Sequence, residues 1–145
     1  MTENALPTDT DALIAHILER FHETHRRELP GLIAQAQAVS APLSGMLSAL
    51  AEGLEQHLFK EEMRLFPMME QGGSSLIVHL IDDMQAEHER QQQELLELQA
   101  LIDGEGIAVR APALQQGLAK LLADLREHMR VEDEVLFPRF RPAAG

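Results

Sequence analysis

Apolar residues recur along this chain in steps of four and three, interrupted at a few places by Pro and Gly. Such steps keep residues on one face of an α-helix, and the interruptions divide the chain into four amphipathic segments. The first is expected from about Thr8 to Val39, with a kink or break at Leu29-Pro30-Gly31, because Pro removes a backbone donor and crowds the turn before it. The second begins near Ala41-Pro42 and fades at Gly72-Gly73. The third starts from Ser74 or Ser75 as N-cap and stops at Asp103-Gly104, and the fourth runs from Ala111-Pro112 to about Phe140-Arg141-Pro142. Short connections between long helices make neighbours antiparallel. The expectation is an all-α, up-down-up-down antiparallel four-helix bundle forming a single domain over residues 1–145, with Gly104 to Arg110 as its one longer loop.

The inward stripes carry unexpected residues. On the second segment the stripe is Leu43, Leu47, Leu50, Leu54, His57, Glu61; on the fourth it is Leu114, Leu118, Leu121, Leu125, His128, Glu132, each position lying 71 residues after its counterpart. The eleven-residue frames HLFKEEMRLFP and HMRVEDEVLFP lie at the ends of these stripes, so the chain reads as a duplicated helical hairpin. On the third segment the stripe is Ile77, Ile81, Met84, His88, Gln91, Leu95, Leu98, Ile102, with His88 in the place of an apolar residue and His79 half a turn out of phase, facing water. On the first, Ala15, Leu18, His22, His25, Leu29, Leu32 form one stripe, and periodicity does not choose between the two histidines. Leu65, Phe66, Pro67 and Leu136, Phe137, Pro138 read as packing residues that loosen the helix beyond each His–Glu pair, and Met63, Met68, Met69 and Met129 as packing.

Composition narrows the chemistry. With 145 residues the chain is the length of one ordinary domain, and with no Cys it has no disulfide, thiolate metal site or cysteine nucleophile. A formal charge of -12 repels a phosphate backbone, which argues against nucleic acid as a partner. The start, MTENALPTDTDALIAH, has neither a basic stretch nor a long apolar run, and no segment approaches the roughly 20 apolar residues of a membrane span, so the expected compartment is the cytoplasm without membrane attachment. Arg20, Arg26, Glu89 and Arg90 read as a solvated face.

A single His-x-x-x-Glu reads as a surface pair supporting its helix. Two phased pairs, with an in-phase His on each remaining helix, read differently. A His and a Glu four apart rise about 6 Å along the axis and turn by only about 40°, so both reach one centre. Imidazoles and carboxylates converging in a core are costly unless a cation satisfies them together. Six N/O ligands are too many for tetrahedral zinc and too rich in imidazole for magnesium or calcium. They suit two non-haem iron ions, each taking two imidazoles and sharing two carboxylate bridges, with an oxo or hydroxo bridge or a small ligand completing the shell; manganese remains open. Duplication of the hairpin would give each half of the bundle one iron.

Four stretches, LIAHILERFHETHRRELPGLI (Leu13 to Ile33), HLFKEEMRLFPMME (His57 to Glu70), MQAEHERQ (Met84 to Gln91) and HMRVEDEVLFPRF (His128 to Phe140), give the chain a resemblance to hemerythrin-like domains. It is most similar to the di-iron domain of the repair-of-iron-centres family, without that family's small Cys-containing N-terminal domain. The resemblance implies His22, His57, Glu61, His88, His128 and Glu132 as metal ligands, with His25 outside that set and Gln92 where ordinary hemerythrins have a further His. It also implies a role in nitrosative or oxidative stress, with NO or O2 as small ligand and damaged iron–sulfur proteins as partners: cluster repair by iron donation, or NO handling. The competing expectations are an O2- or NO-binding sensor or storage module, and a di-iron NO reductase or peroxidase.

Overall fold

The structure is a computed structural model that describes residues 6–142. The extreme ends of the unit expected over 1–145, including the first residues of the stretch read for a leader, lie outside the described residues. Everything regular among the described residues is helical, and the helices fall into four arms. The first arm is α1 (Thr10–Ile17), a π-helical turn (Leu18–His22) and α2 (Glu23–Gln37). The second is α3 (Ala41–Lys60), a π-helical turn (Glu61–Leu65) and α4 (Phe66–Glu70). The third is α5 (Ile77–Gly104). A one-turn helix, α6 (Ile107–Arg110), occupies the stretch expected to be loop, and the fourth arm is α7 (Pro112–Val131), a π-helical turn (Glu132–Leu136) and a 3-10 turn (Phe137–Phe140).

Local chemistry sets these boundaries. Asp9 caps α1 by accepting from the Ala12 N–H at 2.9 Å, and Ser40 caps α3 by accepting from the Leu43 N–H at 3.2 Å. Pro42 and Pro112 sit in first turns, where no backbone donor is needed. Gly72 and Gly73 end the second arm with φ of 98° and 86°, a conformation open to Gly and strained for other residues. The third arm departs from expectation at its start: neither Ser74 nor Ser75 caps α5, which begins at Ile77 after a turn in which the Ser74 hydroxyl accepts from the Leu76 N–H. The break expected at Pro30 is also absent, for α2 continues through it to Gln37. The first arm changes its winding at Leu18–His22 instead.

In the assembled chain, α2 packs on α3 and α7, α5 packs on α3 and α7, and α1 packs on α4. The core is divided. One apolar cluster holds Leu29 to Ala36, Leu43 to Leu58, Leu95 to Ile107 and Leu114 to Met129; the other holds Leu13 to Phe21, Leu65 to Met69, Ile77 to Met84 and Val131 to Phe137. Successive arms pass through the two clusters in alternating order, and on every arm the buried histidines lie near the point where one cluster gives way to the other. No helix among the described residues is long and apolar enough to cross a membrane.

Candidate metal centre

The stripe of the third arm is buried at all eight expected positions, and those of the second and fourth arms at all six. The repeat extends to the boundaries themselves. Helix α7 starts and ends 71 residues after α3, and the π-helical turns at Glu61 and Glu132 share the same offset. In each of these turns an i→i+5 bond, from the Phe66 N–H to the Glu61 carbonyl and from the Phe137 N–H to the Glu132 carbonyl, accommodates one residue more than an α-turn. Glu61 and Glu132 are completely buried, as are Leu65, Phe66, Leu136 and Phe137 beyond them. His79 is exposed, as its phase requires, and so is Gln92.

The first arm differs from its expected face. His22 and His25 are both buried, but Ala15 is exposed and Leu18 only partly buried, while Leu13, Ile14, Ile17 and Phe21 form the buried face. The π-helical turn explains the discrepancy: one added residue shifts the inward positions by one, so a strict α period projected back from Leu32 lands beside the true face.

The six expected residues come together in two groups that share both carboxylates. His22, His128, Glu61 and Glu132 form one group and His57, His88, Glu61 and Glu132 the other, each residue offering one ligand atom within 4.8 Å of the rest. Each carboxylate divides its oxygens between the groups. Glu61 turns Oε1 to His22 Nε2 at 3.1 Å and Oε2 to His57 Nε2 at 3.3 Å; Glu132 turns Oε2 to His128 Nε2 at 2.8 Å and Oε1 to His88 Nε2 at 3.0 Å. The pairing corrects one expectation. Each group draws its imidazoles from different hairpins, His22 with His128 and His57 with His88, so neither half of the duplication supplies a whole group.

Behind the imidazoles stand residues that stripe analysis does not reach. His22, His57 and His88 each donate from Nδ1 to a carboxylate, of Glu62 at 2.7 Å, Glu87 at 2.7 Å and Asp133 at 2.8 Å. Glu62 and Asp133 follow directly on Glu61 and Glu132, so the repeated acidic pair in KEEM and VEDE was the available signal. His128 Nδ1 instead meets His25 Nε2 at 3.2 Å, and the Phe21 ring stacks on His128 at 5.2 Å between centroids. Arg26 and Arg20 are not merely solvated. Arg26 pairs with Glu55 and Glu62, and Arg20 with Asp124.

The fit to a cation rests on what remains unsatisfied. With Nδ1–H donating outward, a neutral imidazole points a lone pair inward from Nε2, and His57 Nε2 and His88 Nε2 face each other at 3.1 Å. His22 Nε2, both oxygens of Glu61 and Oε1 of Glu132 are buried without a hydrogen-bond partner. Inward lone pairs and two buried carboxylates require positive charge, as protons or as metal. Titration expresses the same demand: burial alone would lower the imidazole pKa values, yet the carboxylates push His22 and His88 up to about 10 and raise His57. The Glu132 carboxyl, which burial would raise, is held well below its usual range, chiefly by His128. His25 goes the other way, lowered to about 3 by burial and by the neighbouring His128 and His22. The donor set, imidazole and carboxylate with no sulfur, suits a first-row metal such as iron.

Comparison with known proteins agrees with this chemistry. Residues 13–140 match the family model of the hemerythrin HHE cation binding domain. Among curated proteins, the chain is 37% identical over 141 residues to the iron-sulfur cluster repair protein YtfE of Yersinia pseudotuberculosis serotype IB (strain PB1/+), covering 88% of this chain and 64% of that protein. The YtfE protein of Yersinia pestis (strain Pestoides F) gives the same identity and coverage. The chain thus spans a little under two thirds of the length of these relatives.

Proposed function

The chain belongs to the hemerythrin HHE cation-binding domain family, and on that premise we propose that it is a non-haem di-iron protein of iron–sulfur cluster repair, donating iron to damaged clusters or handling NO under nitrosative or oxidative stress. In this reading His22 and His128 would hold one ion and His57 and His88 the other, with Glu61 and Glu132 available to both. The observation that carries it is the division of both carboxylates between the two imidazole pairs. The architecture belongs to the same proposal: one domain over 1–145 in which the four arms form an up-down-up-down antiparallel bundle, supported by the alternating order in which they pass the two apolar clusters. A cytoplasmic setting, with NO or O2 as small ligand and iron–sulfur proteins as partners, completes it.

When bound, the iron pair would supply a redox-active cation centre. The chain's own residues do the rest. Glu62, Glu87 and Asp133 hold the Nδ1 protons of three imidazoles, which fixes each tautomer with Nε2 facing inward. Phe21, Phe66 and Phe137, all buried, stack on His128, His22 and His88 and keep bulk water from the ligands. The two apolar clusters close the centre from both ends.

Iron-replete protein should contain two ions per chain by metal analysis and, with sulfide supplied, should provide the iron that restores an apo-cluster protein under anaerobic conditions. Glu132→Leu, which removes a group shared by both positions, should abolish iron transfer. Normal transfer by that variant would refute the bridging role, and reversible NO binding with no iron transfer by the parent protein would favour a gas sensor or store instead.

A further inference from the structure

Three of the four imidazoles are backed by carboxylates, and the fourth is not. Asp133 backs His88 and has no Lys or Arg within ion-pair distance among the described residues. Glu87 backs His57 and is shared with Lys60 at 2.6 Å; Glu62 backs His22 and is shared with Arg26 at 2.7 Å. His128 has only His25, itself completely buried, whose Nδ1 finds no partner in the protein. Asp124, one turn before His128 on the same helix, is engaged by Arg20 at 2.9 Å and Lys120 at 2.8 Å instead.

A carboxylate accepting from Nδ1–H makes the opposite nitrogen a better donor to a metal, and loss of such a partner lowers metal affinity by about 10–100-fold. An imidazole in the same place accepts the hydrogen bond but brings no negative charge. The His57/His88 position therefore has two carboxylate-backed ligands, one undivided, whereas the His22/His128 position has one, divided with Arg26. We propose that His25 is a positioning residue: it fixes the His128 ring while withholding charge, which makes the His22/His128 position the weaker of the two and its ion the first to leave. This deepens the di-iron reading above, on which it rests, by naming the ion that would be donated.

The test follows release from the intact chain, loaded anaerobically with two equivalents of ferrous 57Fe and mixed with excess ferrous chelator. Chelator absorbance gives the rates, and Mössbauer spectra of freeze-quenched samples identify the departing ion. The parent protein should release its iron in two phases of equal amplitude, separated by about 10-fold or more, with one quadrupole doublet lost in the first. His25→Glu should slow the fast phase by about 10-fold and leave the slow one unchanged, while His25→Gln, which hydrogen-bonds without charge, should keep the fast phase. Glu87→Gln, which keeps an acceptor for His57 Nδ1–H and removes the charge, should accelerate the slow phase. A single phase in the parent protein overturns the inference, and so does a Glu87→Gln variant with unchanged release, even if His25→Glu fails to fold. Failure to take up two ions at the loading step would instead sink the di-iron reading itself.

Discussion

His25 is a residue whose place periodicity could not decide and whose partner no stripe could name. Its phase was legible, because both it and His22 fall on the inward face of α2 and the turn before it, but a stripe reports facing and not contact. The outer carboxylates Glu62, Glu87 and Asp133 were missed for the same reason: they sit beside the stripe and reach the imidazoles across helix interfaces. Asp124 is another residue of this kind, buried against Arg20 and Lys120 on α7. Burial would raise its carboxyl pKa, but the two cations outweigh burial and hold it below the ordinary 3.8. Because the folded value lies below the unfolded one, the pairing contributes stability above that pH and loses it as pH falls below. Since both cationic partners are substantially exposed, Asp124→Asn should cost only about 1 kcal/mol at neutral pH. Urea titrations of parent and variant should converge as the pH is taken below 3.8.

At the scale of the helical element, the π-helical turns separate what was legible from what was not. The third arm has none, and all eight of its stripe positions are buried as expected. In the second and fourth arms the turn follows the His, so the α period holds through the His–Glu pair. In the first arm the turn lies before and at His22, and the face N-terminal to it was misplaced by one residue. The extra residue cannot be read from apolar spacing because it changes the period that the reading assumes. Pro67 and Pro138, two residues beyond their turns, mark only that the helix must loosen nearby. Deleting Met63, which is 62% exposed, would restore α winding with the Phe66 N–H still on the Glu61 carbonyl, now as an i→i+4 bond, so the following turn keeps its face. Leu65, Phe66 and Met69 would stay in their apolar cluster, where each buried side chain is worth about 1.5–3 kcal/mol. The deletion should therefore cost less than about 1.5 kcal/mol in denaturant unfolding, below the loss of one buried side chain, and Met63→Ala should lie within about 0.5 kcal/mol of the parent.

At the scale of the whole molecule, the all-helical class, the four arms and the convergence of six side chains were legible because one duplication writes the same frame twice. Which imidazoles would pair was not legible, since it depends on how the arms are arranged in space and not on any single stripe. Buried carboxylates that need positive charge also tie the stability of the whole fold to its metal. At free iron about 100-fold above Kd, each ion contributes about 2.7 kcal/mol, so two ions should raise the calorimetric Tm by on the order of 10 °C over chelator-stripped protein. An unchanged Tm in protein shown to carry two ions would contradict that linkage.

Because Glu132 lies in the fourth arm and belongs to both groups, neither group is complete until that arm has been synthesised and has folded against the others. A nascent polypeptide that had emerged only as far as α5 would present His22, His57, Glu61 and His88 without the side chains that unite them. A product truncated before the fourth arm lacks Glu132 from both groups and His128 from one, so neither group forms in it.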